Sequence, residues 1–266
     1  MRAQGLNYRW LFLIASIAII PAVVQAEQPG SAANLDQIVT RMEQARLQSK
    51  QAGSYLLSRE YQMFKGDEDK PSSQVKAEIN VSSPHDINYK IVGSAGSDRG
   101  EKIVRKVLDH EAATEKANPS PSAIIRANYD FRLAGEETLN GVHCYVLELH
   151  PKRKDASLVN GKVWVDAETY LQRKIEGELV KSPSWMVKDV KLTVLLGEMN
   201  GVWTQVSTNA TADVRLVGKY TLSGRAVDLQ PAYAVATARP QKKMLVRPRG
   251  RSFPAEALYT GAVVSR

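Results

Sequence analysis

Apolar positions between residues 35 and 51 recur at helical spacing. Leu35, Ile38, Val39, Met42 and Leu47 fall mostly on one side, and Gly53 follows where a residue free to take positive φ closes a helix. From residue 54 the period changes to two. Residues 55–57 and 61–64 read as one long strand, and the polar run 65–71 as a turn. Val75, Ala77, Ile79 and Val81 alternate with Lys76, Glu78 and Asn80, the mark of a half-buried strand that Pro84 ends, and residues 87–91 alternate again. A second helix is predicted over 98–117, with Ile103, Val104, Val107 and Leu108 as its apolar stripe and Asn118-Pro119-Ser120-Pro121 as its stop.

After residue 124 the two-residue period dominates. Tyr129, Phe131 and Leu133 share a face; so do Tyr145, Leu147 and Leu149, then Leu171, Ile175 and Leu179, then Val190, Leu192, Val194 and Leu196. Val214, Leu216, Tyr220 and Leu222 read as a last strand. Asn140-Gly141, Asn160-Gly161, 166–169 and Asn200-Gly201 read as turns, because Asn-Gly accepts the positive φ of a tight turn. Residues 226–266 show no periodicity. Turn signals about every ten residues predict an antiparallel meander.

The fold class is therefore mainly β with two helices (α+β). Two helices are too few to cover nine to eleven strands, so the sheet must curl about its apolar face into an unclosed barrel with a partial helical lid. The concave space either receives a hydrophobic ligand or is filled by its own side chains. Its expected lining is Tyr129, Phe131, Leu133, Tyr145, Leu147, Leu149, Trp164, Leu171, Ile175, Val190, Leu192 and Trp203. Trp164, Trp185 and Trp203 stand near strand ends and read either as packing aromatics or as a ligand-facing rim.

Composition changes this picture little: 43% hydrophobic and 24% charged residues exclude wholesale disorder. Charge changes it more. The formal balance of +8 suggests a nucleic-acid binder until it is divided, because residues 27–238 hold 27 basic and 27 acidic side chains. The excess sits at the two ends, in Arg2 and Arg9 and in seven basic residues against Glu256 over 239–266, so no phosphate-tracking face is implied. The domains expected are a signal peptide over 1–26, a folded body over 27–232, whose first residues to 34 are polar and frayed, and a basic, disordered tail over 233–266. The tail reads as solvated, with contact to anionic lipid or cell-wall polymer as the other reading.

Arg2 and Arg9 precede an apolar run over 10–20, broken by Pro21 and followed by Val24-Gln25-Ala26, the three-part pattern of a secretory leader cleaved after Ala26. Eleven residues span about 16 Å as a helix, short of the roughly 30 Å bilayer core; an uncleaved anchor is the alternative. A periplasmic location follows, with membrane contact peripheral at most. The single Cys144 cannot form an intramolecular disulfide and is compatible with export if buried.

No catalytic or cofactor motif is found: no Gly-x-Ser-x-Gly elbow, phosphate loop, Gly-x-Gly-x-x-Gly after a strand or His-Glu-x-x-His. His143 and His150 lie seven apart on one strand and point to opposite faces; Cys144 lacks a recognisable base. No enzyme, cofactor or metal is expected.

Tyr129-Asp130-Phe131, the run 141–149, Pro151-Lys152-Arg153, the run 161–166 and Gly201-Val202-Trp203 resemble the outer-membrane lipoprotein-sorting protein family, the LolA-like superfamily that includes RseB-like domains. The whole of 35–223 is compatible with it. The resemblance implies an unclosed antiparallel barrel plugged by helices, and either a carrier of lipoprotein acyl chains or an envelope-stress regulator that binds a protein. Two functions therefore stand: a periplasmic carrier or binding protein for an amphiphile, with a hydrophobic ligand or acylated protein as partner, and a regulator whose partner is an envelope protein. An enzyme on an envelope polymer is a third, without a motif to carry it.

Overall fold

The computed structural model describes residues 34–231 except 50–52, 67, 84–85 and 118–119. The expected leader, the frayed residues up to 33, the basic tail and the stops at Pro84 and Asn118-Pro119 lie outside the described residues. The chain divides into two units, Met1–Asn34 and Leu35–Arg266, and every element below belongs to the second.

In chain order the elements are α1 (Leu35–Ser49), β1 (Tyr55–Lys65), β2 (Ser73–Ser83), β3 (Asp86–Gly96), α2 (Asp98–Lys116), β4 (Tyr129–Leu139), β5 (Val142–Pro151), β6 (Val159–Asp166), β7 (Gln172–Leu179), β8 (Val187–Met199), β9 (Val202–Val214) and β10 (Gly218–Pro231). The strands form one ten-stranded sheet in the order β3-β2-β1-β10-β9-β8-β7-β6-β5-β4. Every pairing is antiparallel. The first and last strands pair with each other, while β3 and β4 are left as edges, so the barrel is unclosed.

Local chemistry starts and stops these elements. The Ser97 hydroxyl accepts the Arg99 N–H at the start of α2, with Asp98 and Glu101 in the first turn and Lys116 in the last, each sign matching the helix dipole. Asn140 (φ 51) with Gly141 (φ 83), and Asn200 (φ 49) with Gly201 (φ 80), turn the β4–β5 and β8–β9 hairpins in the left-handed region.

Three sequence readings are corrected. Asn160-Gly161 is not a turn but lies within β6, where Gly161 pairs with both Leu149 and Gly177. Leu216 does not continue a strand: it sits in the β9–β10 turn at φ 66, so Val214 and Tyr220 belong to different strands. Residues 226–231, which lack a sequence period, are the end of β10, because a bulge against Ser58/Arg59 breaks the alternation there.

One register row crosses all ten strands on a single face: Ser94, Val75, Tyr61, Gly224, Thr208, Val194, Ile175, Val163, Leu147 and Leu133. A second row on that face runs Gly96, Ser73, Met63, Leu222, Ala210, Leu192, Gly177, Gly161, Leu149 and Phe131. Val104 and Leu108 of α2 join Leu57, Tyr61, Val75, Ala77, Ile79 and Leu229 in one buried cluster, so this is the face α2 covers. It is called the inner face below.

Candidate functional site

The helices cover the inner face unevenly. The principal contacts of α2 are with β3, β2 and β1, and that of α1 is with β4. Under α2 the face is tightly packed: Leu57, Tyr61, Val75, Ala77 and Ile79 are all buried. At the other end Ile38, Val39 and Met42 of α1 are buried, as are Leu147, Leu149 and Val163 of the sheet. Between these ends, on β7, β8 and β10, the inner side chains Ile175, Leu192, Val194 and Leu222 are half-buried. Ile175 pairs with Val194, and Ala210 links Leu192 to Leu222, so they form one apolar strip; Phe131 and Leu133 are half-buried as well, but on the edge strand β4, beyond the buried Leu147, Leu149 and Val163.

The strip is bounded by polar anchoring at each end. On the α1 side, Arg126 donates to the Glu43 carboxylate (3.0 Å) and the Asp36 carboxylate (2.7 Å), fixing the helix beside the segment that enters β4. The Arg41 guanidinium lies 5.0 Å from the Tyr170 ring centroid, and Tyr170 stacks on Tyr145 at 6.3 Å. On the α2 side a charge interrupts the apolar alternation of β1. Arg59, between Leu57 and Tyr61, is 3% exposed and donates to Glu111 at 2.9 Å and to the Tyr61 hydroxyl at 3.1 Å. Burial pushes the Tyr61 phenol above its ordinary pKa, although the neighbouring guanidinium acts the other way. The buried charge is therefore paired, and Glu111 ties α2 to the strand beneath it.

The expected lining residues separate into groups. Tyr129, Phe131, Leu133, Tyr145, Leu147, Leu149, Ile175 and Leu192 share the inner face. Of these, Tyr129 is buried and its hydroxyl accepts the Val159 N–H at 3.1 Å, a structural task. Trp164 is on the opposite face. It pairs with Val146, clusters with Cys144, donates its Nε1–H to Glu137 at 2.8 Å and carries the Lys174 ammonium 4.3 Å from its ring centroid. Trp203 also points away from the strip. Its neighbour Val202 packs in the α2-side cluster with Leu57 and Leu229, and two residues along, Thr204 bonds to Tyr55 of that same cluster, so alternation turns the indole outward, where Arg173 lies 5.2 Å from its ring. Leu171 precedes β7 and its carbonyl accepts the Asp166 N–H, while Val190 falls in the register break of β8 between Lys188 and Lys191. Val163, Val194 and Leu222 share the inner face as well, and sequence reasoning left them out of the expected lining because only strand pairing reveals which residues complete a row.

Among the described residues no group of three or more His, Cys, Asp or Glu could hold a metal ion. Cys144 is buried on the outer face beside Val146 and Trp164, and burial raises its thiol pKa. The chemistry available on the strip is therefore apolar contact.

A family model described as "Uncharacterized protein" matches residues 122–222. A search of curated proteins finds no match. Similar solved structures include a DUF1329 family protein from Desulfovibrio piger (15% identity, TM-score 0.42, covering 73% of this chain and 92% of that one). Another is a protein domain from Vibrio parahaemolyticus assigned to outer membrane lipoprotein sorting (14%, 0.42, 74% and 93%). A third is a LolA superfamily protein from Nitrosomonas europaea (13%, 0.35, 75% and 94%). Among the described residues the arrangement is an open antiparallel sheet with helices packed on it, the unclosed barrel with helices that the sequence resemblance implies.

Proposed function

We propose that the chain is a periplasmic carrier or binding protein for an amphiphile, without catalytic activity, and that it holds the hydrocarbon part against the inner strip of β7–β10. The observation that carries this reading is the half-buried pair Ile175 and Val194 with its neighbours Leu192 and Leu222. A folded chain gains by covering such side chains, and each leaves about 1 kcal/mol of transfer free energy unrealised when half exposed. Four of them bound the gain at about 4 kcal/mol, a dissociation constant of about 1 mM before ordering costs. An acyl chain adds its own burial, so binding in the micromolar range is expected. The leader-like segment at residues 1–26 supports the compartment, and the resemblance points to the acyl chain of a lipoprotein as cargo.

The test is uptake of a fluorescent fatty acid by delipidated protein. Parent protein should bind it, and Val194→Asp should weaken binding about tenfold while the circular dichroism is retained. An intact parent fold that takes up no probe contradicts the proposal.

A further inference from the structure

At the end of the sheet where β7 turns into β8 and β9 into β10, large apolar side chains stand in solvent. Trp185 is 74% exposed, Leu216 100% and Met186 36%. The two turns adjoin: the Arg215 N–H donates to the Met186 carbonyl at 2.8 Å, and Val187 pairs with Val214. Trp185, Met186 and Leu216 therefore belong to one tip.

Leu216 breaks two local rules at once. Its φ of 66 is the left-handed region, where glycine, asparagine or aspartate is ordinary and a bulky side chain is disfavoured. The fold returns nothing for this, since the side chain touches no core. A residue at odds with both its backbone and its burial marks an outside contact. The surrounding charge gives the sign of that contact. Residues 180–191 contribute Lys181, Lys188 and Lys191 against Asp189, and residues 211–219 contribute Arg215 and Lys219 against Asp213. Glu178 meets Lys191 at 3.3 Å, and the β1–β2 turn, whose Lys65 and Glu68 lie beside Lys219, holds Lys65 and Lys70 against Asp67, Glu68 and Asp69 in sequence. Seven basic residues then stand against six acidic ones, a balance of +1.

We propose that this tip docks on an anionic lipid bilayer, with Trp185 at headgroup depth, Leu216 and Met186 inserted, and the lysines and arginine facing lipid phosphates. Exposed turn tips offer no groove for a peptide, whereas exposed apolar side chains with a small cationic excess match a negatively charged interface. The surface is separate from the inner strip, so the inference stands whether or not an acyl ligand binds there.

The test is co-sedimentation of the full chain with vesicles of phosphatidylcholine and phosphatidylglycerol, and of phosphatidylcholine alone. The phosphatidylglycerol vesicles should bind the protein, less so at high salt, and the double variant W185A/L216N should bind about tenfold more weakly. Neither side chain is buried, so circular dichroism should be unchanged. Brominated lipid should quench tryptophan emission less in W185F than in the parent. Any lipid binding by the apolar run 10–20 or the basic residues of 239–266 is common to parent and variant, so the difference between the two is what counts. Equal binding by the double variant assigns the contact to those segments and overturns the proposal, as does equal binding to phosphatidylcholine alone. Lipid-free dimerisation that the double variant abolishes makes the tip a protein interface and also overturns it.

Discussion

Asp166 shows how much a single buried carboxylate organises. It is 2% exposed, and one oxygen accepts the N–H groups of Glu168 and Thr169, both at 2.9 Å, while the other takes the Arg173 guanidinium at 2.6 Å. Burial alone would raise its pKa, but the Thr169 amide, Arg173 and the Glu168 amide outweigh it and the net direction is down. A lowered folded-state pKa stabilises the fold above the unfolded value of about 3.9 and loses that contribution as pH falls through the folded value. D166N should therefore cost about 1–2 kcal/mol at pH 7 and make stability less sensitive to pH below about 4, read from urea unfolding at several pH values. An acid limb as steep as the parent's would contradict this. The sequence marks 166–169 as a turn from its polar residues, but not Arg173, whose approach depends on the bulge opposite Trp164 and Val165. Trp164 teaches the same lesson. Alternation alone places it opposite Val163 and Val165, yet its size suggests a ligand-facing role until pairing with Val146 puts it on the outer face.

The β6–β7 pair carries the most instructive misreading among the elements. Asn160-Gly161 has the composition of a hairpin turn, yet the glycine serves close strand approach. A Cβ built on Gly161 would lie 2.0 Å from the Glu176 carbonyl oxygen, and one on Gly177 would lie 2.4 Å from that of Asn160. Facing glycines between Leu149 and Leu192 let the backbones converge. Gly161→Ala should accordingly destabilise by about 1–3 kcal/mol through overpacking, seen as a lower urea midpoint, and an unchanged midpoint would refute the close-approach account. Both helices were legible from their 3.6-residue stripes, and most strands from alternation, because one face of each is polar. The ends of β9 and β10 were not, since bulges reset the period at Leu195/Leu196 and Ser58/Arg59.

At the scale of the whole molecule, the decisive pairing is β1 with β10, which joins strands from opposite ends of the chain into one sheet. No local pattern announces it, whereas the other eight pairings join strands that follow one another in sequence. That single long-range ladder aligns the inner rows from β3 to β4 and sets the packed ends beneath α1 and α2 apart from the half-buried strip between them. The sequence predicts an apolar concavity and part of its lining; which part stays uncovered follows from where each helix lands. The measurement that tests the central claim most directly is photo-crosslinking with a diazirine fatty acid, mapped by peptide mass spectrometry. The strip account predicts adducts on Ile175, Leu192, Val194 or Leu222. Adducts confined to outer-face residues such as Trp164, or none above an unfolded control, would contradict it.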